Sequence, residues 1–358
     1  MAKHTKLFIP GPVEVSDSTF RALCTPMIGH RSQEFMTLYA EIQPRLRELL
    51  FTKNPVYLAT SSAWGVMEAS VRNLVKKRVL NCGCGAFSDK WHEVSIACNK
   101  EAGKYQADWG EPNLPDKIEE LLRKGDYDAL TLIHNETSTG LMNPLVEIAE
   151  VMRRYPQVMF IVDSVSSMSG VKIEMDRLGI DVLLAGTQKC FALPPGLTVF
   201  SVSSRALERA ATVSGRGYYF DFIEFQKNHE KNQTPSTPSI PHIFALRNKL
   251  EEIFTEGLET RFARHQKMAG MVRTWVKERG FEMFPRPGYE SVTLSCIRNT
   301  RKVDLIQLNA ALRERHGCII DRGYGKIQGT TFRVAHMGDE TPKTISQLLG
   351  WLDECLQG

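Results

Sequence analysis

The chain has 358 residues, room for one large domain and a smaller one, and its 42% hydrophobic and 24% charged residues are ordinary for a globular protein. Its formal net charge is +4, from 45 basic and 41 acidic residues, a balance that leaves no electrostatic footprint for nucleic acid. The start "MAKHTKLFIPGPVEV" has no apolar signal core, and no apolar run approaches the length of about 18 residues needed to cross a bilayer, so the expectation is a cytoplasmic protein without membrane contact.

The first 20 residues read as an extended segment with "IPGP" turns that crosses to another part of the chain. From about residue 50 to 250, short apolar runs alternate with amphipathic stretches. "VYLAT", "RVLNCG", "ALTLIHNE", "VMFIVDSV", "DVLLAGTQ" and "LTVFSVS" read as buried strands. "PDKIEELLRKG" and "PLVEIAEVMRRYP" read as helices between them. That alternation predicts parallel strands with crossover helices on both faces. A Pro/Ser/Thr-rich piece, "HEKNQTPSTPSIPHIF", precedes one long helical pattern from Ile243 to Arg279. The remainder, with strands "SVTLSCI", "GCIIDRG" and "TTFRVAH" and helices "DLIQLNAALRERH" and "TPKTISQLLGWLDECL", predicts a smaller α+β domain. The expected division is 1–20 extended, 21–250 large α/β domain, 251–358 small domain.

Eight cysteines spread over the chain form no disulfide framework and fit a reduced compartment. Cys82 and Cys84 form a C-x-C pair, but no second pair stands at zinc spacing, so no metal is expected.

Ligands of open parallel sheets bind beyond the carboxyl ends of the strands. After "VYLAT", small residues Ser62 and Ala63 with Trp64 open a helix, either as an anion cup or as a plain N-cap. After "RVLNCG", two glycines do not complete a dinucleotide fingerprint, and Phe87 is either a platform for a flat ring or a core aromatic. "NETSTG" offers groups that hydrogen-bond a ligand or cap the next helix. Asp163 ends an apolar run, where a carboxylate needs a partner. Lys189 follows "DVLLAGTQ", 26 residues later, about one βαβ unit. The pair reads either as a buried salt bridge or as two ends of a cofactor, with Lys189 on an aldehyde and Asp163 on a pyridinium nitrogen.

Together "GTQKCFALPPG", "VDSVSSMSG", "NETSTG" and "GHRS" resemble the class V, fold-type I enzymes that use pyridoxal 5′-phosphate, and within them the alanine–glyoxylate and serine–pyruvate aminotransferases. The resemblance implies a large domain with a mostly parallel seven-stranded sheet between helices, plus a small C-terminal domain. It implies that Lys189 carries the cofactor as a Schiff base and moves the α-proton, with Asp163 on the ring nitrogen. Phe87 and Val165 would face the two sides of the ring, and Thr137 its hydroxyl. Ser62, Ala63, Trp64 and Gln188 would hold the phosphate; Trp64 departs from the usual glycine-rich cup. Arg333 would bind the substrate carboxylate, and Gly29, His30 and Arg31 would line the substrate pocket. The family's sites are shared across a homodimer, which makes Thr234 and Thr237 candidates for the partner's phosphate site. The implied reaction moves an amino group from alanine or serine to glyoxylate or pyruvate by a ping-pong route.

Four rival readings meet residues that speak against them. Phosphoserine aminotransferases use a pair like His30–Arg31, but the "ALPPG" loop favours the alanine–glyoxylate group. A cysteine desulfurase needs a His where Gln188 stands and a mobile reactive cysteine, whereas Cys318 reads as a buried strand residue. A non-catalytic ligand sensor would not need Lys189, Asp163 and Arg333 together, and a dehydrogenase lacks its glycine fingerprint.

Overall fold

The computed structural model describes residues 4–357. Seven strands form the central sheet: β1 (Val56–Ala59), β2 (Arg78–Gly83), β3 (Glu101–Gln106), β4 (Ala129–Ile133), β5 (Met159–Asp163), β6 (Val182–Gly186) and β7 (Thr198–Val202). Their spatial order is β1-β7-β6-β5-β4-β2-β3. All neighbours pair in parallel except β7, which runs antiparallel to both β1 and β6. β1 and β4 to β7 are buried along their whole length, which is why their sequences are continuous apolar runs rather than alternations.

Two apolar layers cover the faces. One gathers Phe35, Leu38, Ile42, Leu130, Phe160 and Leu246; the other gathers Val66, Val71, Trp91, Ile161, Leu184 and Phe222. The sheet is thereby sandwiched, as the alternating pattern predicts.

Three details depart from the sequence reading. "EAGKYQ" is the edge strand β3, half-exposed and paired only with β2, so it carries no apolar run to reveal it. "LTVFSVS" is antiparallel, not parallel. The long helix from Ile243 to Arg279 is two helices, Ile240–Glu256 and Leu258–Glu278, broken at Gly257, whose φ of +84° is a conformation other residues rarely adopt. The expected boundary at 250/251 falls inside the first of these helices.

The C-terminal part carries a three-stranded antiparallel sheet, Glu282–Met283, Leu294–Arg298 and Thr331–Ala335. The N-terminal segment stays extended to Ser16 and then enters helix Asp17–Leu23. Its strand Lys6–Phe8 pairs in parallel with Cys318–Ile320, so the chain's start crosses to its C-terminal part before returning over the central sheet.

Candidate active site

The parallel strands of the sheet end on one edge, and the segments that follow them enclose a cavity. Its wall contains Ser62, Ala63, Trp64, Phe87, Thr137, Asp163, Val165, Gln188 and Lys189, joined by Met67, Ile133 and Asn135. These come from five separate segments, each at or just beyond a strand end.

Ser62 is the N-cap of helix Ala63–Leu74, but its side chain makes no capping bond. The amides of Ala63 and Trp64 have no acceptor among the described residues. This helix therefore presents free N–H groups and its positive dipole end to the cavity, the arrangement that receives an anion. Trp64 is half-buried, its ring centroid 6.5 Å from that of Trp91.

The neighbouring helix, Ala86–Ala97, starts differently. Its Ala86 amide donates to Ser138 Oγ at 3.0 Å, and its Ser88 amide to Glu136 Oε2 at 2.8 Å. "NETSTG" thus caps the helix before it in the chain, not the one after it.

Asp163 is 3% exposed, and no side-chain cation among the described residues pairs with it. Oδ1 accepts from the Val165 amide at 2.9 Å and Oδ2 from Trp91 Nε1 at 3.2 Å. Burial pushes its carboxyl up to about 7, against the pull of those two donors. Such a carboxylate has acceptor capacity left and gains from a cationic hydrogen-bond donor. Asp163 pairs with Leu184 across β5 and β6, which brings its strand beside the one that leads to Lys189.

The Lys189 amine donates to the Pro10 carbonyl of the N-terminal segment. Burial, and then the nearby Arg333 charge, lower its pKa to about 8, so about a tenth of the amine is neutral at pH 7. Gly11 makes this approach possible: its φ is +91°, and a Cβ there would lie 2.5 Å from Lys189 Cδ.

Arg333 lies on the strand Thr331–Ala335 and is 4% exposed. Nε donates to Asp321 Oδ1 at 2.7 Å and Nη1 to the Thr137 carbonyl at 2.7 Å. Nη2 has no partner among the described residues. The Arg333–Asp321 salt bridge orients the fork rather than consuming it. Tyr324 covers this guanidinium at 5.3 Å and stacks on Phe87 at 5.0 Å between ring centroids.

The other predicted residues gather elsewhere. Thr234 and Thr237 line a separate cleft with Thr60 and Tyr219. Gly29 and Arg31 are exposed, and His30 Nε2 lies 3.4 Å from Thr237 Oγ1. Arg31 donates to Gln233 Oε1 and to the Thr234 and Pro235 carbonyls. These residues form one surface cluster that does not touch this chain's own cavity.

Sequence reading assigned no role to Trp91 or Tyr324, and quoted Asn135 and Glu136 within "NETSTG" without assigning either. Trp91 carried a signal: it lies four residues after Phe87 on one helix, hence on the same face.

Several known proteins are similar to this chain in sequence and in shape. An uncharacterized aminotransferase of Methanocaldococcus jannaschii is 34% identical over 98% of this chain and 92% of its own length. The L-aspartate–glyoxylate aminotransferase of Paracoccus denitrificans is 31% identical over 95% of this chain and 88% of its own. The crystal structure of an alanine–glyoxylate aminotransferase from Nostoc sp. superposes with a TM-score of 0.93 at 27% identity, covering 99% of this chain and 96% of that one. The shared architecture is that of the fold-type I enzymes. The family described as aminotransferase class-V matches residues 21–326. With most of its length inside that match, the protein belongs to the class V aminotransferases and is a transaminase.

Proposed function

We propose that the cavity binds pyridoxal 5′-phosphate and that the protein transfers an amino group from a small amino acid, alanine or serine, to a 2-oxo acid, glyoxylate or pyruvate. The observation that carries this is the meeting of Lys189, Asp163 and the uncapped start of helix Ala63–Leu74 in one cavity. Class V aminotransferases use this cofactor in general, and the residues fit it. Free amides suit a phosphate, a buried carboxylate suits a protonated ring nitrogen, and Phe87 and Val165 offer apolar contacts for a flat ring.

Bound there, the cofactor supplies an aldehyde that links to an amine and a cationic ring that draws electrons from the amino acid's Cα. The chain's residues do the rest. Lys189 would carry the aldehyde and, once freed by the incoming substrate amine, would take the proton from Cα and deliver it to the former aldehyde carbon. Asp163 keeps the ring nitrogen protonated. Ser62, Ala63, Trp64 and Gln188 hold the phosphate, and Thr137 faces the ring hydroxyl. Arg333 fixes the substrate carboxylate through Nη2 while Asp321 and Thr137 hold its other nitrogens in place. In a homodimer, Gly29 and His30 would line the substrate entrance of the other chain's site. Ping-pong kinetics follows.

The Paracoccus and Nostoc relatives are both named for glyoxylate, which supports glyoxylate as acceptor; their donors differ. The surface cluster of Gly29, His30, Arg31, Thr234 and Thr237 supports a homodimer in which each chain completes the other's site. Exposed Met27, Tyr218 and Tyr219 nearby in sequence support the same reading. Phosphoserine is disfavoured as substrate because Arg31 already donates to three acceptors of its own chain. A desulfurase is disfavoured because Cys318 is buried and its thiol is pushed up to about 11. Eight free cysteines support a reducing compartment, and we place the protein in the cytoplasm.

A spectral half-reaction screen tests the donor. Loaded protein is mixed with L-alanine, L-serine, L-phosphoserine, L-aspartate or 2-aminoethylphosphonate and the cofactor band is followed. Conversion by alanine or serine at the highest kcat/KM is expected. Conversion by phosphoserine alone would overturn the donor assignment.

A further inference from the structure

Glu136 has no role in the site as described so far. It is fully buried, between β4 and Thr137. No side-chain cation pairs with it among the described residues. Instead, Oε2 accepts from the Ser88 amide at 2.8 Å, and Oε1 from the Phe87 amide at 3.4 Å, the Ser138 amide at 3.1 Å and the Ser138 hydroxyl at 2.6 Å. That hydroxyl in turn accepts from the Ala86 amide at 3.0 Å.

A buried carboxylate with no counter-ion is costly unless dipoles compensate it. Here the compensation is the positive end of helix Ala86–Ala97, whose first amides point at the carboxylate. Gly85 permits the contact, since a Cβ at that position would overlap the Glu136 side chain.

The amides that Glu136 holds belong to Phe87 and Ser88. The same carboxylate therefore ties down the backbone from which Phe87 projects into the cavity wall. It also bridges two walls, because Ser138 and Thr137 follow it directly on the opposite segment.

We propose that Glu136 is a positioning residue of the cofactor pocket, fixing the start of helix Ala86–Ala97 so that Phe87 is held against the ring. This rests on the reading that the cavity takes pyridoxal 5′-phosphate.

The test compares the full-length wild type with Glu136→Gln and Ser138→Ala, all loaded with pyridoxal 5′-phosphate. Far-ultraviolet circular dichroism reports folding. The induced visible circular dichroism of the bound cofactor reports how the ring sits against its wall, and equilibrium dialysis reports cofactor affinity. Glu136→Gln is expected to fold, to lose most of the induced band, and to bind the cofactor about tenfold more weakly. The KM for the amino acid, set by Arg333, should stay as in the wild type.

A folded Glu136→Gln with wild-type induced band and affinity would make the residue a merely structural cap and overturn the proposal. Should Glu136→Gln not fold, Ser138→Ala decides, since it removes two bonds of the same network and keeps the carboxylate. A reduced induced band there supports the proposal, and an unaltered one overturns it. A wild type that takes up no cofactor would sink the pocket reading itself, and this proposal with it.

Discussion

Glu136 and Asp163 are both buried carboxylates at the same edge of the same sheet, Asp163 as the last residue of β5 and Glu136 just beyond the adjacent β4. Glu136 is 0% exposed and accepts four hydrogen bonds from its own chain; Asp163 is 3% exposed and accepts two. The first is satisfied by protein. The second is left short and is pushed up to about 7 by burial. The helix starts beside them show the same contrast: Ala86–Ala97 is filled by Glu136 and Ser138, whereas Ala63–Leu74 is left open. What the fold completes internally builds the wall, and what it leaves incomplete faces the cavity.

Removing the unsatisfied charge should have the largest effect. Asp163→Asn is expected to lower turnover of the loaded protein by about 10²–10³-fold. It should also stabilise the cofactor-free protein at neutral pH, by up to about 4 kcal/mol. The sign follows from the raised pKa. The buried carboxyl is favoured in its neutral form, so its contribution to stability is full below the ordinary value of 3.8 and is lost as pH rises through about 7. The asparagine variant's gain in melting temperature should therefore be greatest above about pH 7 and shrink toward about pH 4. A variant less stable than wild type at every pH would show that Asp163 is satisfied without a ligand, and the contrast with Glu136 would fail.

Filling the open helix start comes next. Ala63→Asp places a carboxylate there and makes it resemble its neighbour. Affinity for pyridoxal 5′-phosphate should drop by about a hundredfold, while affinity for pyridoxal, which has no phosphate, should change little. Titration of cofactor-free protein with both compounds checks this; equal losses would place the phosphate elsewhere. The loss of about tenfold expected for Glu136→Gln is the smallest of the three, because that carboxylate acts on the ligand only through Phe87.

Much of this arrangement is legible in the sequence because buried parallel strands are written as apolar runs and end where the chemistry sits. Asp163 and Lys189 stand out because each breaks such a run with a charge. The edge strand β3 is not legible, since half-exposed residues leave no run. Nor is the direction of β7, which depends on how the chain returns rather than on its own residues. Gly257 divides a continuous helical pattern by one backbone dihedral. Trp91 escapes because its indole meets a carboxylate 72 residues away, a contact only the fold creates. Arg31 looked like a substrate ligand, but its donors are directed to backbone carbonyls more than 200 residues downstream.

The assignment of Lys189 as the residue that carries the cofactor is tested by chemical fixation. Protein loaded with pyridoxal 5′-phosphate is reduced with borohydride, digested, and its peptides weighed. The added mass of the reduced cofactor is expected on the peptide containing Lys189, and on none in the Lys189→Ala variant. Label on another lysine, or none on a protein that still transaminates, would contradict it.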